Sequence, residues 1–247
     1  MIEVRGFTKA YGERIAVREL GFSVGAGEIV GLLGPNGAGK TTTLRSLAGI
    51  LRPSQGSLSI GGFDVVGAPL EAKRRLALVA DDPPLFASLT VWEHLVLTAQ
   101  LYDLADWEVR AEALLAELEL SDRRDDLADE LSRGMRQKVC VACALLHEPL
   151  VLLLDEPLTG LDPRGIRTLY AALRRRAAEG AAIVVSSHLL AQIEALCTRF
   201  LLLREGRLLL DGSKREIAQR LPSLREDVSL EEIFFEATER PGAGESS

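Results

Sequence analysis

The stretch GPNGAGKTTTLRSLAGI, Gly34–Ile50, places three glycines, a lysine and a threonine directly before a helical pattern. The preceding residues GEIVGLL, Gly27–Leu33, are typical of a short apolar strand, and apolar residues after Lys40 recur at helical spacing. Backbone N–H groups of such a loop can converge on phosphate oxygens, and the helix N-terminus adds the positive end of its dipole. The stretch therefore predicts a phosphate-binding loop. The alternative is a glycine turn that only caps the helix.

The spacing from Gly34 to Thr41 matches the pattern G-x-x-x-x-G-K-[ST]. In that pattern the lysine reaches the β- and γ-phosphates of a nucleotide, and the hydroxyl binds Mg²⁺. We therefore predict that Lys40 contacts the phosphates and that Thr41 is a metal ligand.

The composition indicates a globular protein with a substantial core. The chain has 247 residues, of which 47% are hydrophobic and 26% charged, with a net charge of −7. Nucleic-acid binders usually show a basic excess or face, so we expect no nucleic-acid partner, although a local basic patch remains open. Three cysteines, an odd number, do not predict a disulfide framework. Cys140 and Cys143 form C-x-x-C within an apolar helical pattern, which favours packing over a redox or metal pair.

Neither the start of the chain nor its apolar runs predict a membrane segment. MIEVRGFTKAYG lacks the basic-then-apolar order of a signal peptide, so we expect a cytoplasmic protein. The longest apolar runs, Val139–Leu146 and Leu150–Leu154, are far shorter than the roughly 20 residues that span a bilayer. Any membrane role is therefore expected to come through a partner.

The order of elements predicts an α/β fold. Strand patterns occupy the first third, including Arg14–Val24 and a hairpin over Gly56–Val65, and a helix is expected to begin within Glu71–Leu76. Residues from Thr90 to Leu120 carry helical spacing, which predicts an inserted helical segment. After Leu131, helices and strands alternate, which favours a mainly parallel sheet. We expect one domain over residues 1–235, a helical subdomain at about 85–140 and a mobile tail over 236–247.

Two carboxylates follow a continuous apolar strand. Asp155 and Glu156 end LVLLLDE, and ligands of parallel sheets bind beyond the carboxyl ends of the strands. One such carboxylate can hold Mg²⁺, and the other can accept a proton from an attacking water. The alternative is a solvated acidic turn. His188 follows the strand AAIVVSS, whereas His94 and His147 lack comparable context and are expected to be structural.

The motifs GPNGAGKTT, LSRGMRQK, LVLLLDEP, TGLDP and SSH occur in this order. Their order and residues resemble those of the ATP-binding subunits of ABC transporters. The resemblance runs from Tyr11 to SLEEIF near the C-terminus and covers nearly the whole chain. It implies a P-loop NTPase core with an N-terminal antiparallel β subdomain and an inserted α-helical subdomain. It also implies ATP hydrolysis with ATP and Mg²⁺ as cofactors.

The resemblance assigns roles to individual positions. Tyr11 would stack on adenine, Asp155 would support Mg²⁺, Glu156 would polarise the attacking water and His188 would sense the γ-phosphate. The residues expected to wrap the phosphates are Gly34, Pro35, Asn36, Gly37, Ala38, Gly39, Lys40, Thr41 and Thr42.

The same resemblance implies two kinds of partner. Ser132 and the N–H of Gly134 would meet the γ-phosphate bound by a second copy or a homologous subunit, and Asp162 would lie across that boundary. Two subunits would then enclose two ATP molecules head to tail. The second partner would be an integral membrane subunit, docked on the segment after Asp81 and on the helical insert. This chain is then expected on the inner face of the cell membrane.

Two positions depart from the family pattern. Arg133 replaces a usual glycine, and Asp81 replaces a usual glutamine. We expect the Arg133 side chain to point away and leave the Ser132 and Gly134 contacts intact. Aspartate keeps a hard oxygen ligand, so Asp81 is expected to approach the metal.

The two departures, together with EEIFFEAT, favour an exporter subgroup with separate membrane subunits. A soluble ATPase acting on nucleic acid or ribosomes and a low-turnover regulatory module remain as alternatives. Neither the cargo nor the identity of the membrane subunit follows from these residues.

Overall fold

Two β-sheets organise the part of the chain that the computed structural model describes, residues 1–221 and 228–239. The first sheet is antiparallel, with the order β2-β1-β4-β5. Its strands are β1 (Ile2–Tyr11), β2 (Arg14–Val24), β4 (Gln55–Ile60) and β5 (Phe63–Asp64). The predicted bounds of β2 and the predicted hairpin of β4 with β5 are confirmed.

The second sheet is mainly parallel and has the order β10-β9-β3-β8-β7-β6. Only β10 runs antiparallel to its neighbour. The strands are β3 (Ile29–Leu33), β6 (Leu76–Val79), β7 (Val151–Asp155), β8 (Ala182–Ser186), β9 (Arg199–Arg204) and β10 (Arg207–Gly212). The α/β fold with a mainly parallel sheet, expected from the sequence, is confirmed.

Helices cover both faces of the parallel sheet. They are α1 (Lys40–Leu47), α2 (Pro69–Lys73), α3 (Val91–Tyr102), α4 (Glu108–Glu117), α5 (Arg133–Leu146), α6 (Pro163–Ala178), α7 (Leu190–Leu196), α8 (Lys214–Gln219) and α9 (Leu230–Glu239). Every residue of β3, β7 and β8 is buried, as expected for central parallel strands. Alternate residues of β7 enter two cores: Leu152 and Leu154 pack with α5 and α6, while Val151 and Leu153 pack with α1 and the antiparallel sheet.

Three helices, α3, α4 and α5, lie between β6 and β7 and are here called the helical segment; the insert predicted from Thr90 to Leu120 contains α3 and α4. Thr90 caps α3 by accepting a hydrogen bond from the Glu93 N–H, and Glu93 accepts one from the Thr90 N–H in return. Helix α5 packs against both α3 and α4. Two ion pairs join α4 and the turn after it to α6: Glu117 with Arg175 at 2.9 Å, and Glu119 with Arg164, whose Nε lies 2.6 Å from Oε1. The helical segment is thereby attached to the parallel-sheet core.

Two predicted boundaries require correction. Helix α2 ends at Lys73, and Leu76 already begins β6, so the helix lies earlier than the predicted start within Glu71–Leu76. At the C-terminus, α9 extends to Glu239, whereas the tail was expected to begin at position 236. Ser229 caps α9, and the buried Ile233 and Ala237 hold it against the core. Residues 240–247 of the predicted tail lie outside the described residues.

None of the helices within residues 1–221 and 228–239 combines the length and apolarity that crossing a bilayer requires.

The C-x-x-C pair lies on α5, as the packing interpretation predicted. Cys140 and Cys143 are half-buried, and neither is in a disulfide. Burial raises the pKa of Cys140 to about 12 and that of Cys143 to about 11, and burial likewise raises the pKa of Cys197 to about 12. A thiol with a raised pKa stays protonated at neutral pH, and only the thiolate is a strong nucleophile.

We therefore predict that the native protein reacts slowly with Ellman's reagent at pH 7.5. Unfolding in urea should return the thiols to ordinary pKa values near 8.5, so that all three are labelled at least tenfold faster. The matched control is the same protein, unfolded and then assayed at the same pH. Rapid labelling of the native protein, or an internal disulfide found by mass spectrometry, would contradict the packing interpretation.

Candidate functional site

The loop between β3 and α1 has the backbone that a phosphate cradle requires. Gly37 and Gly39 have φ values of 82° and 102°, a region that side chains disfavour. A Cβ at Gly39 would also lie 2.9 Å from the Ala16 carbonyl oxygen, so this position accepts only glycine. Gly39 precedes the first residue of α1 and provides no side-chain cap. The first N–H groups of α1 are therefore available to an anion.

Lys40 lies at the floor of this loop. Its Nζ donates to the Gly34 carbonyl oxygen at 2.7 Å and to the Pro35 carbonyl oxygen at 3.3 Å. Burial lowers the pKa of Lys40, and the nearby charges of Glu156 and Asp155 oppose that shift. Lys40 Nζ is directed at the loop, where the charge of nucleotide phosphates would favour its protonated form.

A cleft of about 400 Å³ opens over the loop. Ten of the predicted site residues line it: Tyr11, Asn36, Gly37, Ala38, Gly39, Lys40, Thr41, Thr42, Asp81 and Glu156. Tyr11 is 47% exposed, which leaves its ring available for stacking. Arg14 and Ala16, from β2, complete the lining and were not predicted. They follow Tyr11 across the turn between β1 and β2, but no motif marks them.

Asp155 and Glu156 are positioned by the neighbouring strand. Ser186 pairs with Asp155 in the parallel register of β7 and β8, and its Oγ donates to Asp155 Oδ1 at 2.6 Å. The Glu156 N–H in turn donates to the Ser186 carbonyl oxygen at 3.1 Å and contacts Ser186 Oγ at 3.2 Å. Glu156 has a φ of 51°, an unusual backbone for a non-glycine residue, and these bonds hold it there. Ser186 is thus an organising residue that the sequence analysis missed.

His188 contacts Glu156 directly. The His188 N–H donates to Glu156 Oε2 at 3.2 Å, and ring atom Nδ1 lies 2.8 Å from the same oxygen. Because an ionised carboxylate only accepts hydrogen bonds, this contact places the ring proton on Nδ1. The structure therefore brings the predicted Glu156, His188 and Lys40 to one edge of the sheet.

Ser132, Gly134 and Asp162 do not line the cleft, and each has a local structural contact. Ser132 Oγ caps α5 by accepting from the Met135 N–H, and Asp162 Oδ1 caps α6 by accepting from the Gly165 N–H at 2.7 Å. A Cβ at Gly134 would lie 2.5 Å from the Gly160 carbonyl oxygen, so the start of α5 packs directly on the turn that follows Glu156.

Arg133 and Asp81, the two residues that depart from the family pattern, are in direct contact. Arg133 Nη2 lies 2.9 Å from Asp81 Oδ1, and so the guanidinium faces the edge of the cleft. The sequence analysis treated the two residues separately and expected the Arg133 side chain to point away, so this contact corrects that expectation. Asp81 lines the cleft while one of its oxygens is paired with Arg133, and its approach to a metal stays a prediction.

The donor set near the loop fits Mg²⁺. Thr41 and Asp155 offer hard oxygen ligands, and no group of three or more His, Cys, Asp or Glu residues able to hold a metal occurs within the described part of the chain. Mg²⁺ typically takes one or two protein oxygens together with phosphate oxygens and water, so this small set matches its preference.

A second cleft, here called the apolar groove, has a volume of about 250 Å³. It lies between β6, the residues after Asp81, and helices α3 and α5. Phe86 and Leu101 line it and are 59% and 74% exposed.

The two histidines that were expected to be structural have such contacts. The His147 ring stacks on Tyr102 with centroids 3.7 Å apart. Burial lowers the pKa of His147 and favours its neutral form. His94 is buried, with both ring nitrogens in hydrogen bonds to backbone groups, so both histidines have structural contacts, as expected.

These features define a nucleotide-binding ATPase cassette. The family model described as "ABC transporter" matches residues 17–159, and the chain belongs to this family as an ATP-binding subunit, an ATPase of the kind coupled to transport. Nod factor export ATP-binding protein I of Burkholderia orbicola (strain AU 1054) is 37% identical over 220 residues, which cover 88% of this chain and 72% of that protein. ABC-type transporter ATP-binding protein EcsA of Bacillus subtilis (strain 168) is 32% identical over 247 residues, 99% of each chain.

A solved structure described as "Structure of ATP binding subunit of ABC transporter" has the same fold. It matches with a TM-score of 0.91 and 35% identity, and the match covers 96% of this chain and 99% of that chain. The resemblance that the sequence motifs indicated is confirmed.

The Ser186 contacts generate a prediction about stability. Ser186→Ala should lower the free energy of unfolding by roughly 2 kcal/mol, because it removes a donor from the buried Asp155 carboxylate and an acceptor from the Glu156 N–H. Urea denaturation measures this loss.

Ser187→Ala is the matched control. Ser187 is equally buried, but its Oγ only accepts from the Leu189 N–H, so its loss should be about 1 kcal/mol. A loss for Ser186→Ala no larger than that of the control would contradict the organising role.

Proposed function

We propose that this chain is the ATP-hydrolysing subunit of a membrane exporter, and that it acts as a head-to-tail dimer. The observation that carries the proposal is the contact of the Glu156 carboxylate with His188 at the edge of a cleft that also contains Lys40 and Thr41. In this arrangement a general base faces a phosphate-binding loop. The name of the Nod factor relative refers to export, which supports the direction of transport.

Each group then has a defined task. The loop N–H groups and Lys40 bind the phosphates, Tyr11 stacks on the base, and Glu156 takes a proton from the attacking water. Thr41 and Asp155 would hold Mg²⁺, which when bound neutralises phosphate charge. His188 fixes the direction of the Glu156 carboxylate through its ring and its backbone N–H. Such positioning matters because a general base must lie within hydrogen-bond reach of the proton it removes.

The predicted site residues that lie outside the cleft support the proposed dimer. Ser132, Gly134 and Asp162 form an edge made of the starts of α5 and α6, where two helix N-termini present positive dipole ends. They do not line the cleft of their own chain. In a head-to-tail pair this edge faces the γ-phosphate held by the other copy, so that each copy completes the site of its neighbour. Hydrolysis removes the shared phosphate and weakens the pair.

Glu156→Gln tests both chemistry and assembly. Loss of the general base should lower kcat by 10²–10⁴-fold, roughly 3–5 kcal/mol of barrier, while ATP still binds. With ATP, light scattering should show a dimer of this 26.8 kDa chain, and with ADP a monomer.

Lys40→Ala provides the contrast, because it should weaken nucleotide binding itself. Unchanged turnover in Glu156→Gln would exclude Glu156 as the base. A monomer at saturating ATP would contradict the dimer.

The apolar groove is the proposed docking site for a cytoplasmic helix of the integral membrane subunit, which places this chain at the inner face of the membrane. An amphipathic helix would cover the exposed Phe86 and Leu101. Pro84, Leu85 and Phe86 line the groove, and Asp81, a few residues earlier in the same segment, lines the nucleotide cleft. A partner bound in the groove would therefore contact the same chain segment that lines the nucleotide cleft.

Leu101→Glu tests this docking site. A charge on the exposed groove should abolish co-purification with a polytopic membrane protein, while ATPase activity of the isolated subunit changes less than twofold. Val109→Glu is the matched control, because Val109 is 80% exposed on α4 and does not line the groove. Mass spectrometry of the membrane fraction identifies the bound subunit. Equal co-purification of Leu101→Glu and wild type would rule out the groove as the contact.

A further inference from the structure

The Arg133 side chain connects three segments that are distant in sequence. Its guanidinium bonds to Asp81, which is 52 residues away and lines the nucleotide cleft. Its aliphatic part lies over Gly160, where a Cβ would be 3.3 Å from Arg133 Cγ and Cδ. Gly160 belongs to the turn after Glu156, and Arg133 itself is the first residue of α5. One side chain thus touches the cleft, the turn after the proposed base and the edge proposed to face a second copy.

Each residue of this pair, taken alone, would place its charge close to another charge of the same sign. Asp81 adds a negative charge to a cleft that binds an anionic nucleotide, and unscreened like charges repel. Arg133 places a positive charge at the N-terminus of α5, where the helix dipole is already positive and the first turn has no acidic residue. When the two are paired, each neutralises the other.

The pair is not explained by its contribution to fold stability. The side chains of Arg133 and Asp81 are 48% and 53% exposed. Exposed ion pairs contribute only about 0–1 kcal/mol to folding, because water screens them and both side chains lose entropy. Its effect should therefore appear at the nucleotide cleft rather than in the melting temperature.

We propose that Arg133 is a positioning residue for nucleotide binding: it neutralises Asp81 at the rim of the cleft and so permits an aspartate at that position. This inference deepens the proposed function, because it rests on the cleft being the nucleotide site. The two departures from the family pattern are then one coupled change. Asp81 without Arg133 weakens the site, so the presence of aspartate requires the arginine.

The test is a double-mutant cycle on nucleotide affinity, with a fluorescent ATP analogue as the probe and the full chain as the protein. Arg133→Gln should raise the Kd by roughly three- to tenfold, because Asp81 is left uncompensated. In the Asp81→Asn background the same substitution should change the Kd by less than twofold. Arg133→Lys, which keeps the charge, should restore most of the affinity.

Two further readouts separate positioning from a merely structural effect. The effect of Arg133→Gln should shrink at about 1 M KCl, where charges more than ~3 Å apart are screened, and thermal melting should be unchanged. Arg136→Gln is the matched control, since it removes a positive charge one turn further along α5. An equal effect of Arg133→Gln in both Asp81 backgrounds, including no effect in either, would overturn the proposal.

Failure of this inference is distinguishable from failure of the proposed function. The cycle measures nucleotide affinity alone and needs neither turnover nor dimer formation. A wild-type chain that binds the probe without hydrolysing ATP would contradict the proposed function and still permit the cycle.

Discussion

The parallel pairing of β3, β8 and β7 is the constraint on which the site depends. Parallel strands end at one edge, so the loop after β3, the residues after β8 and the carboxylates at the end of β7 meet there. The register sets Ser186 directly opposite Asp155, and the Ser186 hydroxyl then connects Asp155 with the Glu156 N–H. A slip of the β7–β8 register by one residue would move Ser186 away from Asp155 and remove the hydrogen bonds that position both carboxylates.

Charged side chains of opposite sign lie close together in the same region. Lys40 is buried near the charges of Glu156 and Asp155, and its Nζ is held at the floor of the loop by the Gly34 carbonyl oxygen. At the rim, Asp81 forms an ion pair with Arg133. In the proposed nucleotide site, this pairing would leave the positive charge of Lys40 directed at phosphate although Asp81 adds one acidic group that the family pattern lacks.

The helical segment connects the charged rim of the cleft with the apolar groove and with α6. Helix α5 begins beside the turn after Glu156, contributes Arg133 to the cleft rim, and forms a wall of the apolar groove further along. Ion pairs from Glu117 and Glu119 attach the other side of the segment to α6. In the proposed function, a partner bound in the groove and a nucleotide bound in the cleft would both act on α5, through which the two sites could be coupled.

The local elements and the phosphate loop were determined by the sequence alone. Apolar runs predicted central strands, helical spacing predicted the helices that follow Thr90, and glycine spacing predicted the loop around Lys40. These properties depend on neighbours within a few residues. Other features depend on residues that are far apart in the sequence. The Ser186 bridge to Asp155 spans 31 residues, and the Asp81–Arg133 pair spans 52. The apolar groove is lined by residues from Ala77 to His147. Only the tertiary structure decided these contacts. A single sequence shows the hydrophobic period of each helix and strand. It does not show which distant side chains come within hydrogen-bond distance once the sheet and helices are packed.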